Sequence, residues 1–302
     1  MRLFHLLQSH DTSKPTGVPR FSGYFKQAFP DVVNITPASL SGVDWQRGDI
    51  CVADNHYSLM VPERVPCIVV HHGCAEYHYK VDESWRNSMT NQLVTGQRLM
   101  LHKANRLYVA PSKWVYDRFA EFAPSWYAKN AVVVPHYVPL IHGNEKAKSN
   151  VRPRVIGDWR NPNKGSEVWR EIQRACADEF EFCPLQGFDG DDCNTQREDD
   201  YRRANVYICL SLSEGAPYSV ADAEAASLPI VSTHCGNVHE FEPVVITQHE
   251  REEQPEAIAE LIRYALEKGR QKDSFYKDFT FTAWQQAWQV VISEVQTRAG
   301  RA

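Results

Sequence analysis

The chain has 302 residues, enough for two domains of roughly 150 residues each rather than one small core. With 43% hydrophobic and 24% charged residues and a net charge of −5, it is neither a disordered chain nor a general nucleic-acid binder, whose surface would be basic. No apolar run approaches the ~20 residues of a membrane-spanning helix. Eight cysteines without a C-x-x-C pair, several inside apolar runs such as CIVV and YICL, read as packed thiols of a reduced, cytoplasmic protein.

In chain order, RLFHLLQ is a short apolar run interrupted by His5, a buried strand rather than the core of a signal peptide. The polar loop SHDTSKPT follows and leads to a helix with Gly17 near its start. DVVNI and DICVAD are the next strands, and the second runs into Asp54-Asn55-His56, a candidate ligand contact. CIVVHH ends at His72-Gly73, and strand alternation sends His71 and His72 to opposite faces. His71, His72, Cys74 and His78 offer nitrogen and sulfur donors suited to zinc, but their spacing matches no standard zinc pattern. RLYVA and AVVVP complete the first half, separated by an aromatic stretch, SKWVYDRFAEFAPSWYAK, that suits packing or a ligand-facing side.

Apolar periodicity stops in PLIHGNEKAKSNVRPR, which marks a linker near 139–152. The second half repeats the alternation with RPRVIG, FEFCPL, NVYICLS, LPIVST and PVVIT. After RPRVIG a loop carries Arg160 and Lys164-Gly165 into a helix, and two cations beyond a strand end suit a diphosphate. After NVYICLS come Glu214, Gly215, Ala216, Pro217, Tyr218 and Ser219. There Gly215 permits a tight turn, and the amides of the next helix can accept an anion. Asp222 lies about one turn inside that helix, and Glu224, two residues on, points about 200° around it. The last helix, FTFTAWQQAWQVVISEV, sets Trp284, Trp288 and Val291 on one apolar stripe that must dock. Short apolar runs alternating with helices predict an α/β fold with parallel sheets covered on both faces. Ligands are then expected beyond the carboxyl ends of the strands.

The segment S-E-G-A-P-Y-S-V-A-D-A-E-A-A-S-L-P-I-V-S-T resembles the E-x7-E segment of the retaining glycosyltransferases of the GT-B fold, the large family four. Glu214 matches the first acid, which lies near the donor sugar, and Asp222 stands where the ribose-binding second acid is usually Glu. Arg160 and Lys164 match the basic pair that grips the donor diphosphate. His72-Gly73 resembles the step whose histidine points into the cleft, and Gly17 matches one glycine of the N-terminal Gly-rich loop. The resemblance implies two Rossmann-like domains facing across a cleft: an acceptor domain over 1–140, a nucleotide-sugar donor domain over 151–280, and a helix over 281–302 packing back toward the first. It implies His72, Glu214, Arg160 and Lys164 as catalytic residues. The donor would be bound by Gly17, Arg160, Lys164, Glu214, Gly215, Ala216, Pro217, Tyr218, Ser219 and Asp222. Transfer would be from a nucleoside-diphosphate sugar to a glycan, a lipid-linked glycan or a small molecule, retaining, with no metal and no further cofactor. No nucleic-acid partner is implied, and a lipid-linked acceptor would bring peripheral contact with the inner membrane face. The D-x-D of Asp189-Gly190-Asp191 binds a metal in the other large glycosyltransferase fold, and an acidic surface turn accounts for it here. A sugar-nucleotide epimerase of the same fold and a non-catalytic sugar-binding module are the competing readings.

Overall fold

The computed structural model describes residues 2–7, 17–142, 152–160, 162–185, 193–247, 250–251, 254–269 and 274–301. The chain divides into two compact units, Met1–Tyr137 with Phe281–Ala302, and Val138–Thr280. The strands of the first unit are β1 (Leu3–Leu6), β2 (Val33–Ile35), β3 (Ile50–Asp54), β4 (Cys67–Val70), β5 (Arg106–Ala110) and β6 (Ala131–Val133). Its helices are α1 (Gly17–Ala28), α2 (Ala75–Val81), α3 (Ser88–Leu101), α4 (Lys113–Ala120) and α5 (Tyr127–Asn130). The strands of the second unit are β7 (Arg154–Gly157), β8 (Glu181–Pro184), β9 (Val206–Cys209), β10 (Ile230–Thr233) and β11 (Val244–Ile246). Its helices are α6 (Ser166–Cys176), α7 (Cys193–Arg203), α8 (Tyr218–Ala225) and α9 (Pro255–Lys268), and α10 (Phe281–Arg301) ends the chain in the first unit.

In the first unit all strands pair in parallel, in the order β2-β1-β3-β4-β5-β6. The residues of β3 and β5 are buried at every position. Strands covered on both faces have no solvent side to make polar, which is why ICVAD and RLYVA show no alternation. The chain leaves β1 toward β2 on one side and returns to β3 on the other, so the strand order reverses between β1 and β3. The register sets Leu6 beside Ala53 and Asp54 beside Val70. The carboxyl ends of β1, β3 and β4 therefore form one rim.

The apolar stripe of α10 docks on α1. Trp284 and Trp288 are each 1% exposed. The ring of Phe21 lies 6.1 Å from that of Trp284 and 5.6 Å from that of Trp288, and Phe25 meets Trp288 at 5.1 Å. Gln285 Nε2 donates to the Ala28 carbonyl at 2.6 Å, which ties the helix to the end of α1.

The sheet of the second unit is also parallel, in the order β11-β10-β9-β7-β8. Here the order reverses between β7 and β9, the place where open α/β sheets bind ligands. One core layer centres on Trp169, Ile172, Val206, Ile208 and Ile262, the other on Ile156, Tyr201, Tyr207, Val220 and Val238.

Candidate functional site

In the second unit, three loops converge where β7, β9 and β10 end. β7 closes at Gly157, where a Cβ would lie 2.5 Å from the Ile208 carbonyl and 2.5 Å from the Trp169 ring, so only glycine lets the strands approach this closely. The loop after it turns through Gly165, whose φ of +78° and whose Cβ position 2.6 Å from Leu210 both require glycine. Leu212 N donates to the Asn163 carbonyl at 3.1 Å and fastens this loop to the one leaving β9. Behind the second loop stands Gly236, at φ +56°, where a Cβ would meet the Gly215 carbonyl at 2.5 Å. Asn237 N donates to that carbonyl at 3.0 Å, so the Glu214-Gly215 turn is held from behind.

These loops bring four charged side chains together. Lys164 Nζ pairs with Glu214 Oε1 and lies 3.8 Å from Asp158 Oδ2. Arg160 grips Asp158 with both edges of its fork, Nε to Oδ1 at 2.8 Å and Nη2 to Oδ2 at 2.9 Å. Burial alone would raise the Asp158 pKa, but the Arg160 hydrogen bonds and the Lys164 charge win and hold it below the usual carboxylate value. Burial likewise opposes a charged Lys164, yet Glu214 and Asp158 overcome it and push the ammonium above its ordinary value. Lys164 is therefore charged at neutral pH.

Next to them α8 opens. Pro217 caps it in an extended conformation and contributes no N–H. The amides of the first helical turn lie ahead of the i→i−4 ladder and carry the positive end of the helix dipole. Tyr218 is buried, while Ala216, Pro217 and Ser219 are half-buried. Asp222 lies about one turn inside α8, is 1% exposed, and faces Arg197 Nε on α7 with its Oδ2 at 3.3 Å. Tyr201, also on α7, donates its hydroxyl to the Ser219 carbonyl at 2.8 Å, so α7 covers this side of α8. Glu224 accepts from Phe275 N at 2.9 Å and fastens the segment that leads to α10.

In the first unit the rim of β1, β3 and β4 carries a second polar cluster. Asp54, fully buried, accepts at Oδ1 from His72 Nε2 at 2.8 Å and from His5 Nε2 at 3.3 Å. Burial would raise its pKa, but the charges and hydrogen bonds of the two histidines hold it well below the carboxylate range. An ionised carboxylate only accepts, so each histidine directs an Nε2–H at Asp54. The His72 ring is flanked by Phe21, edge-on at 5.2 Å, and by His136, near-parallel at 6.3 Å. Burial, with the charges of His72 and Arg20, pushes His136 well below the ordinary histidine value. The turn after His72 is fixed by Gln97, which donates to the Gly73 carbonyl at 2.8 Å and accepts from Ala75 N at 2.8 Å.

His71 faces the other side of the sheet, stacked on Phe119 at 3.8 Å, and burial lowers its pKa to about 3. His71 and His72 thus cannot ligate one ion, which removes the zinc arrangement considered from sequence. His56 packs against Gly96 on α3, and Asp54 is taken up by two histidines, so neither stands as a simple acceptor contact. Gly17 begins α1 at φ +54°, a conformation that explains the glycine. The loop before it and the D-x-D of Asp189-Gly190-Asp191 lie outside the described residues.

Sequence reasoning missed Asp158, Arg197, His5 and His136. Asp158 had one legible signal, its place directly after the strand-ending Gly157. His5 had another, as the single polar residue in an otherwise buried strand.

Residues 120–268 match the family described as "Glycosyl transferases group 1". Among solved structures, the chain is similar to sucrose-phosphate synthase from Thermosynechococcus elongatus, at 12% identity and a TM-score of 0.65, covering 98% of each chain. It is similar to Anabaena HepE, solved in complex with UDP and glucose, at 15% identity and a TM-score of 0.67, covering 97% of this chain and 100% of that one. A third likeness is to the pneumococcal O-GlcNAc transferase GtfA in complex with UDP and GlcNAc, at 15% identity and a TM-score of 0.61 over 85% of this chain and 59% of that one. No curated protein matches the chain by sequence. At these identities the structures speak for the fold: the chain has the GT-B fold, and the segment that matches the glycosyltransferase family spans the three converging loops and the opening of α8.

Proposed function

We propose that the chain transfers a sugar from a nucleoside-diphosphate sugar to a hydroxyl of a carbohydrate or lipid-linked acceptor, with retention at the anomeric carbon and without a divalent metal. The observation that carries this reading is the cluster at the β7/β9 switch point, where Arg160, Lys164 and the start of α8 converge. Two cations and a set of helix-start amides are what a departing diphosphate needs, because negative charge grows on it as the bond from the anomeric carbon to the phosphate oxygen breaks. They supply the charge stabilisation that a metal ion gives in other enzymes. The breaking bond leaves oxocarbenium character on the sugar. The acceptor oxygen forms the new bond on the same face, and its proton passes to the leaving phosphate oxygen, so no enzyme nucleophile is required.

In this reading Glu214 holds donor-sugar hydroxyls and orients Lys164. His72, whose Nε2–H is directed at Asp54, contacts the sugar or stabilises charge beside it. The solved structures of HepE and GtfA hold UDP with a sugar, which supports a nucleotide-sugar donor here. We place the protein in the cytoplasm, working on its acceptor in solution or at the inner membrane face. Among the described residues no helix is long and apolar enough to cross a membrane.

The test is thermal stabilisation by UDP, GDP, ADP and their sugars in EDTA, repeated on Arg160→Ala. One nucleotide is expected to raise the melting temperature in proportion to its concentration over Kd, and Arg160→Ala to lose the effect. Stabilisation that vanishes in EDTA would sink the metal-free reading, and conversion of the donor sugar without any acceptor would favour an epimerase.

A further inference from the structure

The anion clamp of the second unit already holds an anion of the protein's own. Arg160 directs two donors of its fork to Asp158, and Lys164 lies between Asp158 and Glu214. Two cations and two carboxylates leave the cluster with no net formal charge. The two partners of the Arg160 pair differ in freedom. The Asp158 side chain is 6% exposed at the end of β7, whereas the Arg160 side chain is 45% exposed on the loop beyond it. A long, half-exposed side chain on a loop has more rotamers open to it than a short, buried one next to a strand end.

We propose that Asp158 is a competing carboxylate that sets the balance between donor and product: the diphosphate binds by drawing Arg160 away from Asp158, and Asp158 takes Arg160 back to expel the product. This rests on the donor site proposed above. It follows from charge counting. The proton that the leaving phosphate oxygen receives is lost to solvent at neutral pH, so the free nucleoside diphosphate carries one more negative charge than the sugar diphosphate that entered. A fixed carboxylate a few ångströms from the site repels the product more strongly than the donor, so Asp158 weakens both but discriminates against the product. Such a residue favours turnover over tight binding, since product release limits many enzymes of this size.

The isosteric Asp158→Asn removes the charge while keeping an oxygen to accept from Arg160. Calorimetric titration of UDP, GDP and ADP, and of the glucose diphosphate esters of the same nucleosides, into both proteins reads the effect. The free diphosphate that the wild type binds is expected to bind the variant about tenfold more tightly. Its sugar ester should gain only about threefold, and product inhibition should become correspondingly stronger. Equal or weaker binding of the diphosphate to the variant, or an equal gain for donor and product, overturns the proposal and leaves Asp158 as a residue that only shapes the loop. If neither protein binds any of the three diphosphates, the donor-site reading itself falls. Should Asp158→Asn not fold, Asp158→Ser and a crystal of the wild type with the bound diphosphate give the same decision. Arg160 must then sit on a phosphate oxygen, and an Arg160 pair with Asp158 kept at 2.9 Å beside the ligand overturns the exchange.

Discussion

Lys164 and Glu214 are separated by 50 residues of chain and meet as an ion pair with little access to water, their side chains 17% and 14% exposed. Removing either member leaves the other charge poorly solvated, so the pair cannot be dissected by one substitution alone. Lys164→Ala is expected to lower kcat by roughly 10²–10³-fold, the range for losing one stabiliser of developing charge. It should also reduce stability by about 1–3 kcal/mol through the stranded Glu214. Steady-state rates and urea unfolding on the same preparation separate the two effects. A variant with normal kcat would remove Lys164 from the leaving-group site. At the other cluster, Asp54→Asn takes the anion from beneath two histidines. Turnover should fall while the donor's Kd, read on the second unit, stays unchanged. A weakened donor Kd would show that Asp54 acts through the fold rather than through His72.

Among the elements, the two that matter most are a glycine-backed turn and the last helix. Gly236 combines a positive φ with a carbonyl 2.5 Å from where its Cβ would stand. Gly236→Ala should therefore push the Glu214-Gly215 turn out of place and cost about 1–3 kcal/mol, with kcat falling more than in an equally destabilised core variant. Stability lost without any excess loss of rate would mean the turn's position is immaterial to the reaction. In α10, Trp288 is 1% exposed against Phe21 and Phe25. Trp288→Ala should cost about 3–5 kcal/mol, as large aromatic truncations in cores do. A loss below ~1 kcal/mol in urea titration would show that the helix does not contribute to the cooperative unit. The same Phe21 ring meets His72 at 5.2 Å, so loosening α10 also loosens one wall of the histidine cluster.

For the whole molecule, buried histidines set the acid limit. His71 has its pKa lowered to about 3 by burial, and His136 is also pushed well below its ordinary value. The folded protein keeps His71 neutral, while the unfolded chain takes up a proton on it near pH 6.5. Unfolding is therefore favoured as pH falls from about 6.5 toward about 3, and the stability that His71 contributes is fully present only above that window. Urea midpoints between pH 7.5 and 4.5 should fall steadily, and His71→Phe, which keeps the ring stack on Phe119, should flatten the slope. An unchanged slope in that variant would assign the acid sensitivity to other groups.

The sequence by itself determined the strands of the described residues and the chemistry of the loops that follow them. Each of the apolar runs read from RLFHLLQ to PVVIT holds a strand: the inner ones, such as β3, β5 and β9, are apolar because they are buried on both faces, and the edge strands β2, β6, β8 and β11 keep partly exposed positions. It also determined that Arg160, Lys164 and Glu214 stand just beyond strand ends, and their meeting was inferred from family resemblance rather than from spacing. Strand order decided the rest. The loops after β7 and β9 touch because those strands are neighbours, and no local pattern says which strands will pair. Asp158 showed only as one acid in a polar loop, and its hold on both cations exists once Gly157 and Gly165 let the loops close. Asp222 stands about one turn inside α8, where its place in the sequence puts it, and only the packing of α7 on α8 brings Arg197 against it. Propensity and periodicity act within a segment and are written in it, whereas ion pairs between loops depend on long-range packing that only the folded chain supplies.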